Sequence, residues 1–468
     1  MLKILEVRIP LTNEAPGSSN IVTCGAHVLS IHLRSSALVL LPGILIRGGY
    51  RMFLIFILII PLNANGLSLI RDSESESILA EIIAPIAKAA GLPHVKPMIV
   101  NDKNINAFVM DGRHIFITSG LLAKFPDPEI IAGVFAHEIG HIKSGHVVRS
   151  QIQGKELALL YSGATLLGVA GSIMAGSPEL GMATAIMGTH SLERELLKYS
   201  RYHEYSADIV ALSLLAKANI TSNGLIKILE YFEFEQRHLL INPYILSHPV
   251  SRDRLSAIKN HAKLVELPSE FSKKFSSKLR RLNEKLTGFL EKIKAAKNLF
   301  PDSKYVEAII LHREGKSNQA IKLIDQLLVL EQNPYLYELK AQFAFESGDI
   351  SNAIKFYEQK NKLKPNEPLT LLELAVCLIA SDIESNIKRS LSYLHAAMLD
   401  EPENAFVIRN LAIAYGKLKD LGKANLWLAE EALLLGNNKE AVYFANIAIK
   451  KLNPKSLEFE RAQSIIAE

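Results

Sequence analysis

The chain has 468 residues, of which 22% are charged and 49% hydrophobic, and its net charge is +5. That length allows two or three domains, each able to bury a core, and the composition is that of an ordered globular protein. So small a net charge argues against nucleic acid as a partner, and two cysteines, Cys24 and Cys377, exclude a disulfide framework or a cysteine metal site.

Residues 1–50 show no interpretable pattern. Arg47 to Gly66 then runs from basic residues through an apolar stretch, 52–62, to small and polar residues, the order of a secretory signal. The stretch is short for a membrane span, which needs about 20 apolar residues. Residues 1–66 are therefore expected to be an N-terminal extension and signal peptide, with cleavage near Ala64 or Gly66. Translation from Met52 and a signal anchor with an extended head both stay open.

The segment FAHEIGHIKSGH, Phe135 to His146, carries three histidines and a glutamate. Asp127 can cap a helix here, Pro128 fits its first turn and Gly145 can stop it. On that helix His137 and His141 stand four residues apart on one face, so two imidazoles can reach one ion. Zinc suits them, and Glu138 beside it is placed as a general base. A buried helix whose histidines bond to carbonyls is the competing reading. His146 does not fit the motif and is read as a structural or surface residue.

Leu157 to Gly188 is a Gly- and Ala-rich apolar tract broken at Ser177, Pro178 and Glu179. A bilayer span, a hairpin in or on the membrane surface, and buried core all remain open, and the Ser-Pro-Glu break favours the hairpin. Beyond it RYHEYSADIVAL, Arg201 to Leu212, is helical in pattern. Glu204 is the choice for third metal ligand, and Asp208, one turn later, can accept the ring N–H of a ligating histidine. Two carboxylates among such apolar neighbours would be costly without a cation. His203 is read, like His146, as structural or surface.

Residues 67–265 form the expected metal-binding domain, followed by a basic helical connector, 266–300, whose charges are expected to be solvated. From about Pro301 the sequence becomes self-similar. Gly315 aligns with Gly348 and Ala320 with Ala353, a period of 33, and Gly436 with Ala441 and Ala424 fit comparable positions. This resembles tetratricopeptide repeats over 301–468, helix pairs stacked into a solenoid whose concave face binds peptides or proteins. The match is loosest around Ser381 to Ser392.

HEIGH followed by EYSAD some sixty residues later is similar to the membrane-associated HExxH zinc metallopeptidase family of the CaaX prenyl proteases and HtpX, and the tail points to its beta-barrel assembly-enhancing subgroup. NAFVMDGRHIFITSGLL, Asn106 to Leu122, and SHPVSRDR, Ser247 to Arg254, resemble further segments of that family. The resemblance implies a mainly α fold with a small β-sheet, a zincin-like peptidase domain and an all-α repeat solenoid after it. It implies one Zn2+ per chain held by His137, His141 and Glu204, with Glu138 and Asp208 as catalytic residues. It also implies that His248 can occupy the open zinc position as a latch with Arg254 nearby, against a His-Pro turn that merely caps the domain. His114 to Thr118 is the expected sheet edge for substrate backbone.

The function so implied is an exported, periplasmic, membrane-associated endopeptidase with a recruiting repeat domain. It would act on unfolded or misassembled protein substrates alongside the outer-membrane assembly machinery, at the membrane surface. The alternative is a chaperone or scaffold with a mostly latent protease site. An integral CaaX-type protease requires several clear spans and is set aside.

Overall fold

The computed structural model describes residues 3–7, 67–146, 201–238, 248, 252–264 and 270–467. The apolar run 52–62 and the tract 157–188 fall outside these residues. Among the described residues no helix is long and apolar enough to cross a membrane.

The architecture is mainly helical with one small mixed sheet. Its strands are β1 (Lys3–Val7), β2 (Leu67–Arg71), β3 (Lys96–Val100), β4 (Ala107–Val109) and β5 (His114–Thr118), in the spatial order β1-β2-β3-β5-β4. β3 and β5 run parallel and the other neighbours antiparallel. Lys3–Val7 is too short for its alternation to stand out in sequence, and it becomes a strand by pairing with Leu67–Arg71.

This order corrects the edge assignment. His114–Thr118 has β3 on one side and β4 on the other, so the open edge there is Ala107–Val109. Ile115 and Ile117 enter the main core, while Phe116 packs on the opposite face with Leu69 and Val100. Burial on both faces is the mark of an interior strand, and its parallel partner lies too far back in the chain for a local pattern to reveal it.

The helices that carry the site pack on this sheet. They are α1 (Ser73–Ala90), α2 (Ser119–Lys124), α3 (Pro128–Lys143), α4 (residues 201–217), α5 (Asn223–Arg237), α6 (Arg252–Leu264) and α7 (Glu270–Leu290). Ile78, Leu79, Ile82 and Ile86 of α1 and Ile131, Val134 and Phe135 of α3 join Ile70, Ile99, Ile115 and Ile117 of the sheet in one core. α3 starts as its sequence suggests: Asp127 accepts the Glu129 N–H at 2.9 Å and Pro128 opens the first turn. Gly224 lets α5 lie directly against α3, since a Cβ there would stand 1.9 Å from the Glu129 carbonyl oxygen.

On α7 Lys273, Lys274 and Arg280 form the expected solvated face, but Phe275, Leu279, Leu282 and Leu286 belong to the core under the sheet, and Lys285 is buried. The basic residues of this helix hid an amphipathic pattern whose apolar side has a core to enter.

From Lys304 the chain forms successive antiparallel helices to Ala467. Gly315, Gly348 and Gly436 take left-handed backbone (φ 78°, 87° and 72°) at the turns, where a β-carbon is unfavourable. Asp382, in the looser middle, and Lys419, beyond it, hold the equivalent left-handed positions, which is why the glycine repeat fades between Gly348 and Gly436. Ala320, Ala353, Ala424 and Ala441 are all buried where paired helices meet, and Ile387 fills the matching place in the middle pair. This is a tetratricopeptide-type, all-α array following the sheet-containing domain.

The two parts meet along a polar seam. Lys285 reaches Asp72 at 2.7 Å and Glu74 at 3.2 Å, and the Tyr305 hydroxyl donates to Glu74 at 2.9 Å. Ser73 donates to Glu338, Lys364 to Ser77 at 2.7 Å, and Arg71 pairs with both Glu76 and Glu401. The segment from Arg71 at the end of β2 to Ser77 in α1 is thus clasped by array residues from Tyr305 to Glu401.

Candidate metal centre

Three elements bring the sequence-predicted residues together. α3 supplies His137, Glu138 and His141, α4 supplies Glu204 and Asp208, and His248 with Arg254 at the start of α6 closes the far side; all seven are buried. The close approach of α3 and α4 rests on Gly140, because a Cβ there would stand 2.6 Å from the Ala207 carbonyl oxygen. With that contact made, Glu204 lies opposite the two histidines.

The donor geometry is specific. His137 Nε2 and His141 Nε2 are 3.1 Å apart, Glu204 lies 3.2 Å from the first and 3.3 Å from the second, and His248 Nδ1 lies 3.4 Å from His137 Nε2 and 3.1 Å from Glu204. Donors held at about 2 Å around a tetrahedral ion stand about 3.3 Å from one another. Four buried groups, three imidazoles and one carboxylate, therefore each turn a donor atom to within 4.8 Å of the other three, and the closest of these separations match those of a tetrahedral ligand set. Imidazole nitrogens turned on one another across the same space suit a cation better than a proton network, and the donor set fits zinc.

The surrounding groups complete the arrangement. His137 Nδ1 meets Asp208 Oδ1 at 3.0 Å, and Arg254 holds Asp208 through Nε at 2.7 Å and Nη2 at 3.0 Å. Arg254 Nη1 also reaches Glu204 Oε2 at 3.1 Å. In the metal-free arrangement burial pulls the His137 imidazole down, but its bonds to Asp208 and Glu204 outweigh this and carry it up to about 10. His141, pushed down first by burial and then by the His137 charge, falls to about 3. Burial opposes ionisation of Glu204, yet His248, His137 and His141 hold it well below the ordinary carboxylate range.

Glu138 differs from its neighbours. Both its oxygens are buried with no hydrogen-bond partner among the described residues, and His248 Nε2 lies 3.7 Å from one of them. Burial raises its pKa. A carboxyl group so placed can hold or release a proton beside the donor cluster.

Of the two readings left open for His146 and His203, structural or surface, the structure favours the first. Neither is a surface residue: both are buried, their rings stack at 4.0 Å and 15°, and His146 Nδ1 lies 3.1 Å from His141 Nδ1. Left-handed Gly145 (φ 68°) turns the chain after α3 so that His146 returns beneath His141. That glycine followed by a histidine was the available signal.

Comparison with known proteins gives the same picture. Residues 73–262 match the model of peptidase family M48. The beta-barrel assembly-enhancing protease of Yersinia pestis is 25% identical over 377 residues, covering 78% of this chain and 76% of that protein. Its Escherichia coli K12 namesake is 26% identical over 295 residues, covering 59% of each chain. Protease HtpX of Alcanivorax borkumensis is 27% identical over 166 residues, 32% of this chain and 55% of that one.

Proposed function

Because residues 73–262 are a peptidase family M48 domain, the chain carries a metallopeptidase, and we propose that it is an exported zinc endopeptidase held latent by His248. Its substrates are unfolded or misassembled protein chains in outer-membrane assembly, and it works from the periplasm at the membrane surface. The observation that carries the reading is the buried set His137, His141, Glu204 and His248, whose donor atoms lie within 4.8 Å of one another, with Glu138 beside it making no hydrogen bond among the described residues. Relatives named beta-barrel assembly-enhancing protease support the client class.

One zinc per chain would be held by His137, His141 and Glu204. When bound it supplies a Lewis acid that polarises a scissile carbonyl and lowers the pKa of water toward about 7. Glu138 takes the proton of the attacking water and delivers it to the leaving amine, a role its raised pKa and lack of competing hydrogen bonds suit. Asp208, whose Oδ1 lies 3.0 Å from His137 Nδ1, is placed to take that N–H when the ring is a ligand and so keep Nε2 turned inward, and Arg254 holds both Asp208 and Glu204 in place. His248 Nδ1, 3.4 Å from His137 Nε2 and 3.1 Å from Glu204, would occupy the place that water or a substrate carbonyl needs at the metal, so the enzyme would be active only when this side chain withdraws.

The repeat array recruits clients. Every seam partner named above precedes residue 402, which leaves the helices from Ala405 to Ala467 for a client chain. The test compares wild type, Glu138→Gln and His248→Ala on an unfolded β-barrel or casein substrate, with zinc content measured on each. Glu138→Gln keeps its zinc and loses about 10²–10⁴-fold in cleavage rate, while His248→Ala keeps zinc and cleaves faster than wild type. Retained activity in Glu138→Gln overturns the mechanism. Cleavage by wild type that His248→Ala does not increase overturns the latch. If all three hold zinc and none cuts, the scaffold reading takes over.

A further inference from the structure

Resting on the zinc reading of His141, we infer that His146 is a positioning residue: it accepts the His141 Nδ1–H and so fixes the tautomer and ring plane of that ligand, itself held in place by stacking on His203. The argument starts from the far side of each ligand ring. A histidine that gives its Nε2 lone pair to a metal carries its proton on Nδ1, and that N–H needs an acceptor, usually a carboxylate, carbonyl or water. His137 has Asp208 at 3.0 Å. His141 has the Nδ1 of another imidazole, 3.1 Å away.

Between two Nδ1 atoms at that distance there is room for one proton. Since His141 turns its Nε2 toward His137 Nε2 (3.1 Å) and Glu204 (3.3 Å), the shared proton belongs to His141, and His146 accepts it through Nδ1. Its own proton is then on Nε2. The backbone and the neighbouring helix both enforce this placement. Gly145, at φ 68°, swings His146 back under α3, and the ring lies flat on His203 with centroids 4.0 Å apart and planes 15° apart.

His203 is the residue directly before Glu204. The helix that supplies the third ligand thereby also holds the ring that orients the second. The two ligand histidines are consequently held unequally, His137 by a carboxylate that Arg254 clamps and His141 by a neutral ring. A packing role alone would make any apolar residue of similar volume equivalent at 146.

The experiment uses the full chain in a Glu138→Gln background, with zinc ion as ligand and a chromophoric chelator as competitor. His146→Leu is expected to weaken zinc retention by about 10–100-fold, the range for loss of a ligand's outer hydrogen-bond partner. His146→Asn places an amide oxygen near the Nδ1 position and is expected to restore most of the retention. Thermal midpoints of the metal-free proteins are recorded alongside. Equal retention in His146→Leu and the background protein overturns the inference. So does a His146→Asn protein that loses zinc as readily as His146→Leu while its metal-free midpoint matches the background. A background protein that holds no zinc, or a His141→Ala protein that holds it undiminished, overturns the zinc reading as well, so the two failures are told apart.

Discussion

The molecule buries charge in two places, and they are built on opposite principles. At the seam between the peptidase domain and the array, Lys285 meets Asp72 and Glu74, Tyr305 donates to Glu74, and Ser73 donates to Glu338. Each of these carboxylates faces a donor that the chain provides. At the metal centre three imidazoles and a carboxylate turn donor atoms on one another, and Glu138 is left with no hydrogen bond among the described residues. Burial of charge does not by itself mark a functional site. What distinguishes the second cluster is that its donor atoms face one another across a common space, an arrangement that suits a cation supplied from outside.

The comparison can be broken at the seam first, where the largest effect on stability is expected. Lys285→Met leaves Asp72 and Glu74 buried without their cation and should cost about 3–5 kcal/mol, read by chemical denaturation. Zinc retention at low denaturant should hardly change, since no seam residue is a ligand. If stability falls by much less than this, the seam is wetter than its burial implies.

A smaller effect is expected where α3 meets α4. Gly140→Ala adds a Cβ aimed at the Ala207 carbonyl, 2.6 Å away, and overpacking of this kind costs about 1–3 kcal/mol. Unlike the seam variant, it should also loosen zinc, because Glu204 shares the displaced helix. Unchanged zinc retention would show that Glu204 reaches the ion without this contact.

The smallest effect is a matter of protons and sharpens the difference in kind. In the metal-free chain the His137 pKa stands at about 10, above its ordinary 6.5, because the bonds to Asp208 and Glu204 outweigh burial. Its contribution to stability is therefore fully present below pH 6.5 and is lost as pH rises through about 10. Zinc needs the neutral ring, so binding at pH 7.5 should expel about one proton per ion. Calorimetric titrations in two buffers of different ionisation heat measure this, and a value near zero would mean that His137 is already neutral. The seam, whose carboxylates face donors from the chain itself, has no counterpart to this release.

Much of the site was legible because it is written in short-range spacing. Two histidines four apart face one way on any α-helix, Asp127-Pro128 caps that helix in the manner its residues prescribe, and Glu204 and Asp208 are likewise one turn apart. The repeat turns were readable where glycine takes the left-handed position and faded where Asp382 and Lys419 replace it. His146 escaped because its position depends on a reversal at Gly145, which carries it off the helical face where a ligand would be sought.

The sequence by itself determined which residues could bind a metal, which helices carry them and the turn pattern of the array, because each follows from backbone periodicity within about one turn. Tertiary structure alone decided the rest. It put β3 beside His114–Thr118 and left Ala107–Val109 as the edge, buried Lys285 against Asp72, and brought His248 to within 3.4 Å of His137 across 111 residues of chain. Strand order, the partner of a buried charge and the fourth donor of a site are contacts between distant segments. They are fixed by which apolar faces find a common core, and no local period records that choice.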